Sequence, residues 1–257
     1  ETVLDELIKE TGAAYTFWNR CYEPSAIARD IRIKKMLTRN AVATKSFNAS
    51  LLFEPWEIKS KQDRPYRVFT PFYKAILSKR IMPPYHVAQP IRQWKGILQS
   101  DKLNDWALLP SQPDWAGGFK ACWTPGETAA YQRLKNFIDG PISSYKEDRE
   151  IPGLSATSKL SPYIHFGEIS PRQIWEATTA RDPCRGAETF LKELIWREFG
   201  YHLLYQNPEM ATEPIQCKFN NFPWLRNTKH LKAWQRGQTG YPIVDAGMRE
   251  LWTTGTM

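Results

Sequence analysis

The sequence has no long apolar run. No stretch approaches 18 uninterrupted apolar residues, which excludes a membrane-spanning helix. Cysteine and histidine are scarce, and the four cysteines lack the CxxC or Cys/His spacing of a zinc site or a disulfide framework. No serine or cysteine stands in a nucleophile-elbow setting, so a hydrolase is not indicated. We therefore expect no metal site, no membrane association and a reduced, cytoplasmic location of the bacterial type.

Positive charge and aromatic side chains are abundant. The 257 residues carry a formal net charge of +8, which favours a polyanionic partner such as nucleic acid or an anionic membrane. Aromatic residues make up 13% of the chain and include 11 tryptophans. Tryptophan next to arginine is suited to stacking on bases or on a flavin ring, although any single tryptophan is more often a core residue.

The two ends of the sequence predict an internal fragment. There is no initiator methionine, and the chain stops at TTGTM directly after the amphipathic segment DAGMRELW. A site that needs residues outside 1–257 is then expected to be incomplete.

Three regions follow one another along the chain. Residues 1–54 alternate between helix and strand, with the second strand predicted over SFNASLLFE (46–54), as in the tail of a parallel α/β domain. Residues 55–125 are rich in proline and aromatics and predict an extended linker on a surface. From about residue 126 the pattern is helical. The predicted class is therefore α/β followed by all-α.

Residues 186–206 form the most informative helix. Leu191, Ile195 and Phe199 recur on one side, which predicts a packing face. The opposite side carries an unusual polar set for an amphipathic helix, and it predicts either a surface for a flat, partly charged ligand or an Arg–Glu pair beside a half-buried tryptophan. Its members are Glu193, Trp196, Arg197 and Gly200.

A second candidate site lies upstream, in the segment TSKLS. Thr157, Ser158 and Ser161 surround Lys159 where a helix could begin, so hydroxyls, backbone N–H groups and an ammonium could converge on a phosphate. Ordinary helix capping is the simpler explanation of these residues when they are taken alone. Tyr145 and Arg149 lie one helical turn apart and predict either a cation–aromatic pair or part of a ligand wall.

Taken together, four segments closely resemble the photolyase and cryptochrome family. They are YRVFTPFYKA (66–75), Tyr145 with TSKLS (157–161), ELIWREF (193–199) and TGYPIVDAGMREL (239–251). The resemblance runs nearly end to end and is strongest to the cyclobutane-pyrimidine-dimer photolyases. It implies the end of a Rossmann-like antenna domain at 1–54, an interdomain linker at 55–125, and the first part of a helical FAD-binding domain at 126–257.

The same resemblance implies residue roles. Tyr145 matches a flavin contact, and the flavin pyrophosphate would be held by Thr157, Ser158, Lys159, Leu160 and Ser161, with lysine at 159 where arginine is usual. The stretch from Glu193 to Gly200 matches the part that meets flavin and damaged DNA, with Glu193 and Arg197 also counted among the flavin contacts.

On the DNA side, Arg149 would contact a phosphate. Glu193 would hydrogen-bond the dimer, and Trp196 would form a wall against the extruded thymines, with Gly200 beside them. Arg197 would hold a neighbouring phosphate, and Trp224 would be the surface end of a tryptophan chain that reduces the flavin.

The implied activity is light-dependent repair of damaged double-stranded DNA by a monomer. Excited reduced FAD gives one electron to the cyclobutane dimer, which is flipped out of the duplex. The alternatives are a cryptochrome-like photoreceptor that binds flavin without repair, and a basic helical DNA-binding domain without flavin. Residues 1–257 alone are not expected to repair DNA. A folate-type antenna is in doubt, because Ser25 and Ala26 stand where some relatives have an Asn-Glu pair.

Overall fold

The computed structural model describes residues 2–85 and 93–257. It is mostly helical, with one small parallel sheet. The chain divides into two compact units, the first made of residues 1–94 and 126–216, and the second of residues 95–125 and 217–257. Within the described residues, no helix is long and apolar enough to cross a membrane.

The first unit opens with an α/β segment. Helix α1 (Thr2–Thr11) precedes strand β1 (Tyr15–Asn19), helix α2 (Pro24–Arg39) and strand β2 (Ala43–Phe47). The strands pair in parallel, and Ile8, Leu37 and Val42 form the core beneath them. Proline at the start of α2 suits a first helical turn, since its missing N–H has no partner there in any case.

The predicted second strand is wrong in its position. Strand β2 ends at Phe47, whereas the sequence pattern predicts a strand over residues 46–54. Leu51 and Leu52 are adjacent and both buried, which a half-buried strand with alternating faces does not allow. The backbone N–H groups of Leu52 and Phe53 donate to the Glu198 carboxylate instead of to a neighbouring strand.

Residues 55–125 contain more structure than an extended linker. Helix α3 (Phe69–Leu77) buries Phe69, Phe72 and Ile76 in one core cluster with residues of the long helix α9 (Arg185–Gln206). Among the described residues, a 3-10 turn (Leu103–Trp106) and one turn of α-helix, α4 (Phe119–Cys122), follow before residue 126. The early part of this region therefore belongs to the core of the first unit.

The rest of the first unit is helical. Between α4 and α9 lie α5 (Glu127–Asp139), α6 (Tyr145–Asp148), α7 (Ser161–Phe166) and α8 (Pro171–Thr179). A capping box formed by Ser170 and Gln173 begins α8. Helix α9 is the centre of this arrangement, because α3, α6 and α8 all pack on it.

The second unit ends with two helices, α10 (Thr228–Gln235) and α11 (Pro242–Thr254). The turn that precedes α11 is fixed by the buried Asp245 carboxylate, which accepts hydrogen bonds from the backbone N–H groups of Thr239 and Gly240 and from the Thr239 hydroxyl. The hydroxyl bond, opposed by some desolvation, holds the pKa of Asp245 below its ordinary value. The TGYPIVD segment therefore encodes its own turn.

Candidate flavin and DNA-binding site

Helix α9 has the two faces that its sequence predicts. Ile195 and Phe199 are buried and Leu191 is half-buried, so this side is the packing face. On the other side, Trp196 and Gly200 are exposed and Glu193 and Arg197 are partly exposed.

A cleft of about 450 Å³ opens beside the polar face of α9. Six of the eight residues predicted to contact a cofactor line it: Tyr145, Ser158, Leu160, Ser161, Glu193 and Arg197. Its other walls are Ile164, His165, Phe190, Leu194 and Tyr201. Residues from α6, α7, α9 and the segment before α7 thus converge on one cavity, although up to 56 positions separate them in sequence.

The donors around this cleft fit an amphipathic, anionic ligand. Leucine, isoleucine and phenylalanine side chains give apolar walls for a flat ring system, and serine hydroxyls with a guanidinium give hydrogen-bond donors for phosphate oxygens. The same combination serves a dinucleotide with an aromatic ring, such as FAD. The residues present therefore fit this cofactor.

Tyr145 forms the inner wall of the cleft. Its ring is buried and makes edge contacts with Phe137 and Phe190. Burial raises the pKa of its phenol above the ordinary value, so the group is neutral at physiological pH. The Arg149 guanidinium lies 5.4 Å from the centre of the same ring, which confirms the predicted cation–aromatic pair.

The sequence offers an Arg–Glu pair on α9 as one alternative, but the ion pair on this surface uses an arginine from outside that helix. Glu193 pairs with Arg149, whose Nη1 lies 2.6 Å from Oε1, rather than with Arg197 on its own helix. The Nε atom of Arg149 also lies 3.2 Å from Oε1 of Glu150. Because both partners of the Arg149–Glu193 pair remain partly exposed, its net contribution to stability is small. The pair joins the residue predicted to contact a DNA phosphate to the residue predicted to hold the dimer.

Arg197 is held on two sides. Its Nη1 donates to the carbonyl oxygen of Ser50 at 2.6 Å, and its guanidinium lies 4.9 Å from the centre of the Tyr201 ring. Since one edge of the guanidinium is fixed in this way, the group has a defined orientation next to the cleft.

The TSKLS segment begins a helix, as the sequence predicts. Helix α7 starts at Ser161, and Ser158, Leu160 and Ser161 line the cleft, whereas Thr157 and Lys159 are outside its described lining. Lys159 has φ of +50°, a left-handed conformation that is uncommon for a residue with a Cβ. Its two neighbours in sequence, Ser158 and Leu160, both line the cleft.

Two buried polar residues of α9 were not predicted. The Glu198 carboxylate accepts hydrogen bonds from Leu52 and Phe53, at 2.9 and 3.3 Å. His202 accepts one from the backbone N–H of Tyr66 through Nε2, and its Nδ1 lies 3.1 Å from the Pro55 carbonyl oxygen. Both residues lie at the helical spacing that places them on the packing face with Ile195 and Phe199. A polar residue within such an apolar stripe indicates a buried hydrogen-bond acceptor or donor.

The remaining predicted site residues lie outside the lining described for the cleft. Trp196 stands next to Arg197 with 44% of its surface exposed, and Gly200 has open space around the position of a Cβ. Trp224 belongs to the second unit, is 72% exposed and contacts Phe222.

A smaller cleft of about 180 Å³ lies after the ends of the two parallel strands. Arg20, Lys34, Ser46 and Trp56 are among its lining residues, and both cations donate to the Ser46 hydroxyl. Ser25 and Ala26, the positions that put the folate antenna in doubt, belong to the first turn of α2 and are outside the described lining.

Known sequence families match the beginning and the end of the chain. A family model described as DNA photolyase matches residues 1–91, and one described as the FAD binding domain of DNA photolyase matches residues 190–257. The second match begins on α9 and includes Glu193, Trp196 and Arg197. The chain belongs to the DNA photolyase and cryptochrome family.

Individual relatives agree with this assignment. The chain is 44% identical to a deoxyribodipyrimidine photo-lyase of Agrobacterium fabrum, over 100% of this chain and 54% of the relative. It is 36% identical to cryptochrome-1 of Arabidopsis thaliana, over 97% of this chain and 38% of the relative. The predicted greater similarity to photolyases than to the plant photoreceptors is confirmed for this pair.

The fold matches a solved structure equally well. The crystal structure of a bacterial class III photolyase from Agrobacterium tumefaciens superposes with a TM-score of 0.95 at 43% identity, covering 100% of this chain and 54% of that chain. The chain thus spans about half the length of the photolyases that it matches.

Proposed function

We propose that this protein repairs cyclobutane pyrimidine dimers in DNA with light, using FAD bound in the cleft beside α9. The observation that carries the proposal is the convergence of Tyr145, Ser158, Ser161, Glu193 and Arg197 on that one cleft. These residues combine a neutral phenol, hydroxyls and a guanidinium with apolar walls, which is the chemistry that a flavin dinucleotide requires. The net charge of +8 favours association with the DNA backbone.

The fold supports a finer division of the chain. We propose that residues 1–54 are the end of a Rossmann-like antenna domain, with 55–125 as the connection and 126–257 as the first part of a helical flavin-binding domain. The parallel β1–α2–β2 unit supports the first part, and the helices that pack on α9 support the last. Because the chain spans half of its relatives, we do not expect residues 1–257 alone to repair DNA.

The protein's own groups would bind and orient the reactants. Reduced FAD, when bound, supplies the light-driven electron for the reaction. Ser158, Ser161 and Lys159 would hold its phosphates. Trp196 and Glu193 would receive the extruded pyrimidine pair, and Arg149 and Arg197 would hold flanking DNA phosphates. Exposed Trp224 would be the outer end of the path by which the flavin is reduced.

The test uses the protein expressed from its complete reading frame. We expect the visible absorption of a bound flavin, and we expect splitting of dimers in DNA under blue light but not in darkness. Bound flavin without repair would favour the photoreceptor alternative, and absence of flavin would contradict both. A basic DNA-binding domain without flavin would bind DNA but show no visible absorption.

Replacement of Lys159 tests the phosphate contact. We expect Lys159→Met to weaken FAD binding roughly tenfold, because a charge-assisted hydrogen bond to a phosphate is lost. Lys159→Arg should bind FAD at least as tightly as the unchanged protein, since arginine offers a fork of donors. Titration of the FAD-free protein with FAD measures the Kd. Lys146→Met on α6 is the matched control, because Lys146 is an exposed lysine outside the TSKLS segment. Equal losses in the two methionine variants would contradict the contact.

Replacement of Glu193 tests whether a proton must be transferred. Glu193→Gln places an amide hydrogen-bond donor without a transferable proton at the position expected to meet the dimer, and it gives up the ion pair with Arg149. We expect most of the repair to remain, within about twofold, and Glu193→Ala to lose clearly more, because it offers no donor. The readout is the number of dimers split per absorbed photon. Complete loss in Glu193→Gln would show that a transferable proton is required.

A further inference from the structure

Trp196 and Phe69 form a close aromatic stack. Their ring centroids lie 3.6 Å apart and their planes differ by 5°, so the two rings lie face to face. Aromatic pairs generally prefer offset or edge-to-face arrangements to a direct sandwich. The core packing around Phe69 must therefore hold that ring in the place where the indole stacks on it.

Phe69 is the fixed member of the pair. It is 7% exposed and belongs to the core cluster that contains Phe72, Ile195 and Phe199. Phe199 also meets both rings edge-on, with centroids 5.8 Å from Phe69 and 5.9 Å from Trp196. A dense core leaves such a side chain little freedom to change rotamer.

Trp196, by contrast, is a partly exposed residue on a helix surface. An indole in that setting has several staggered rotamers available, and the backbone of α9 alone does not choose among them. Stacking on Phe69 covers one face of the indole, and 44% of the residue's surface stays accessible. One rotamer is therefore selected from the α3 side, and an accessible aromatic surface is left beside Glu193 and Arg197.

We infer that Phe69 is a positioning residue for recognition of the damaged bases. It does not touch the DNA; it sets the plane of the Trp196 indole on which the extruded pyrimidine pair stacks. This inference rests on the proposed function. It assigns a role in lesion selectivity to α3, an element outside the cleft and distant in sequence from α9.

The experiment compares binding of two duplexes to the protein expressed from its complete reading frame. One duplex carries a single cyclobutane thymine dimer, and the other has the same sequence without damage. We expect Phe69→Leu to lower the ratio of the two affinities about five- to tenfold, because stacking of a base on an aromatic ring depends on the ring's orientation. Binding of the undamaged duplex should change less than twofold.

Phe72→Leu is the matched control for damage to the core. Phe72 lies on the same helix and in the same cluster, but its ring contacts are with Tyr66, Phe199 and His202. We expect this variant to keep the affinity ratio of the unchanged protein. An equal decrease in both leucine variants would assign the effect to core packing and overturn the inference.

A double-mutant cycle separates positioning from any other effect of Phe69. In a Trp196→Leu background, Phe69→Leu should lower the affinity ratio by less than twofold, since no aromatic ring remains at position 196 for Phe69 to orient. An undiminished effect in that background would overturn the inference. If the unchanged protein itself fails to prefer the damaged duplex, the proposed function fails; if it prefers that duplex and Phe69→Leu prefers it equally, only the role of Phe69 fails.

Discussion

Gly186→Ala is expected to destabilise the fold by on the order of 3–4 kcal/mol, a large part of the stability of an ordinary domain. Gly186 lies in the first turn of α9, and a Cβ added there would come within 1.8 Å of the carbonyl oxygen of Ile142. The obstructing atom is backbone, so no side chain can rotate away. Either α9 or the short turn Pro141–Ser143 must move, and contacts of α9 are lost as a result. Urea unfolding followed by circular dichroism measures the change.

Gly200→Ala is the matched control for this prediction. It lies on the same helix, but nothing is within 4 Å of its added Cβ. Alanine has the higher helix propensity, so this variant should be more stable by up to about 1 kcal/mol. If Gly186→Ala instead unfolds at the same urea concentration as the unchanged chain, the close approach of Ile142 to α9 is contradicted.

Glu198→Gln is expected to remove a strong pH dependence of stability. Burial raises the pKa of Glu198 to about 7, despite hydrogen bonds from Leu52 and Phe53 and the charge of Arg197, which act in the opposite direction. The folded protein therefore binds a proton at pH values where the unfolded chain has already released it. This contribution to stability is fully present below about pH 4.5 and is lost as the pH rises through 7.

Glutamine cannot titrate, so the variant should become more stable relative to the unchanged chain as the pH rises. We expect the difference in the free energy of unfolding to change by about 2–3 kcal/mol between pH 5 and pH 8. Urea unfolding at a series of pH values measures it. Glu188→Gln, at an exposed position of the same helix, should show less than about 0.5 kcal/mol of change. A constant difference between Glu198→Gln and the unchanged chain would show that the carboxylate is not buried as described.

His202 contributes a pH dependence of stability with the opposite sign. Burial lowers its pKa below the ordinary value, in spite of its two backbone partners, and Nε2 must be unprotonated to accept the Tyr66 N–H. Its contribution is present above the ordinary histidine pKa of about 6.5 and is lost as the pH falls. In the weakly acidic range, Glu198 and His202 change the free energy of unfolding in opposite directions as the pH rises. Measurements on the unchanged chain alone would therefore underestimate both effects, and the Glu198→Gln variant separates them.

The local features of the site could be predicted from the sequence. The period of apolar residues on α9 correctly separates Ile195 and Phe199 from Trp196 and Arg197. The TSKLS segment, where a helix start is predicted, does lead into a helix, α7, which begins at Ser161. Both depend on residues within one or two helical turns, where helical geometry and backbone chemistry determine the outcome.

The features that could not be predicted involve contacts between distant parts of the chain. Leu52 and Glu198 are 146 positions apart, and no local pattern reveals that the carboxylate replaces a strand partner for residues 52 and 53. Likewise, Glu193 has Arg197 one turn away on its own helix but pairs with Arg149. Helix–helix packing brings the more distant cation nearer, and a single sequence does not report that packing.

The fixed guanidinium of Arg197 has a consequence for ligand affinity. A free arginine loses much rotational entropy when it captures an anion, and this loss subtracts from the binding free energy. In Arg197 that loss is already incurred on folding, since Ser50 and Tyr201 immobilise the side chain before any ligand arrives. The remaining N–H donors of Arg197 are therefore preorganised. A phosphate can bind to them without a further loss of side-chain entropy, and it binds more tightly as a result.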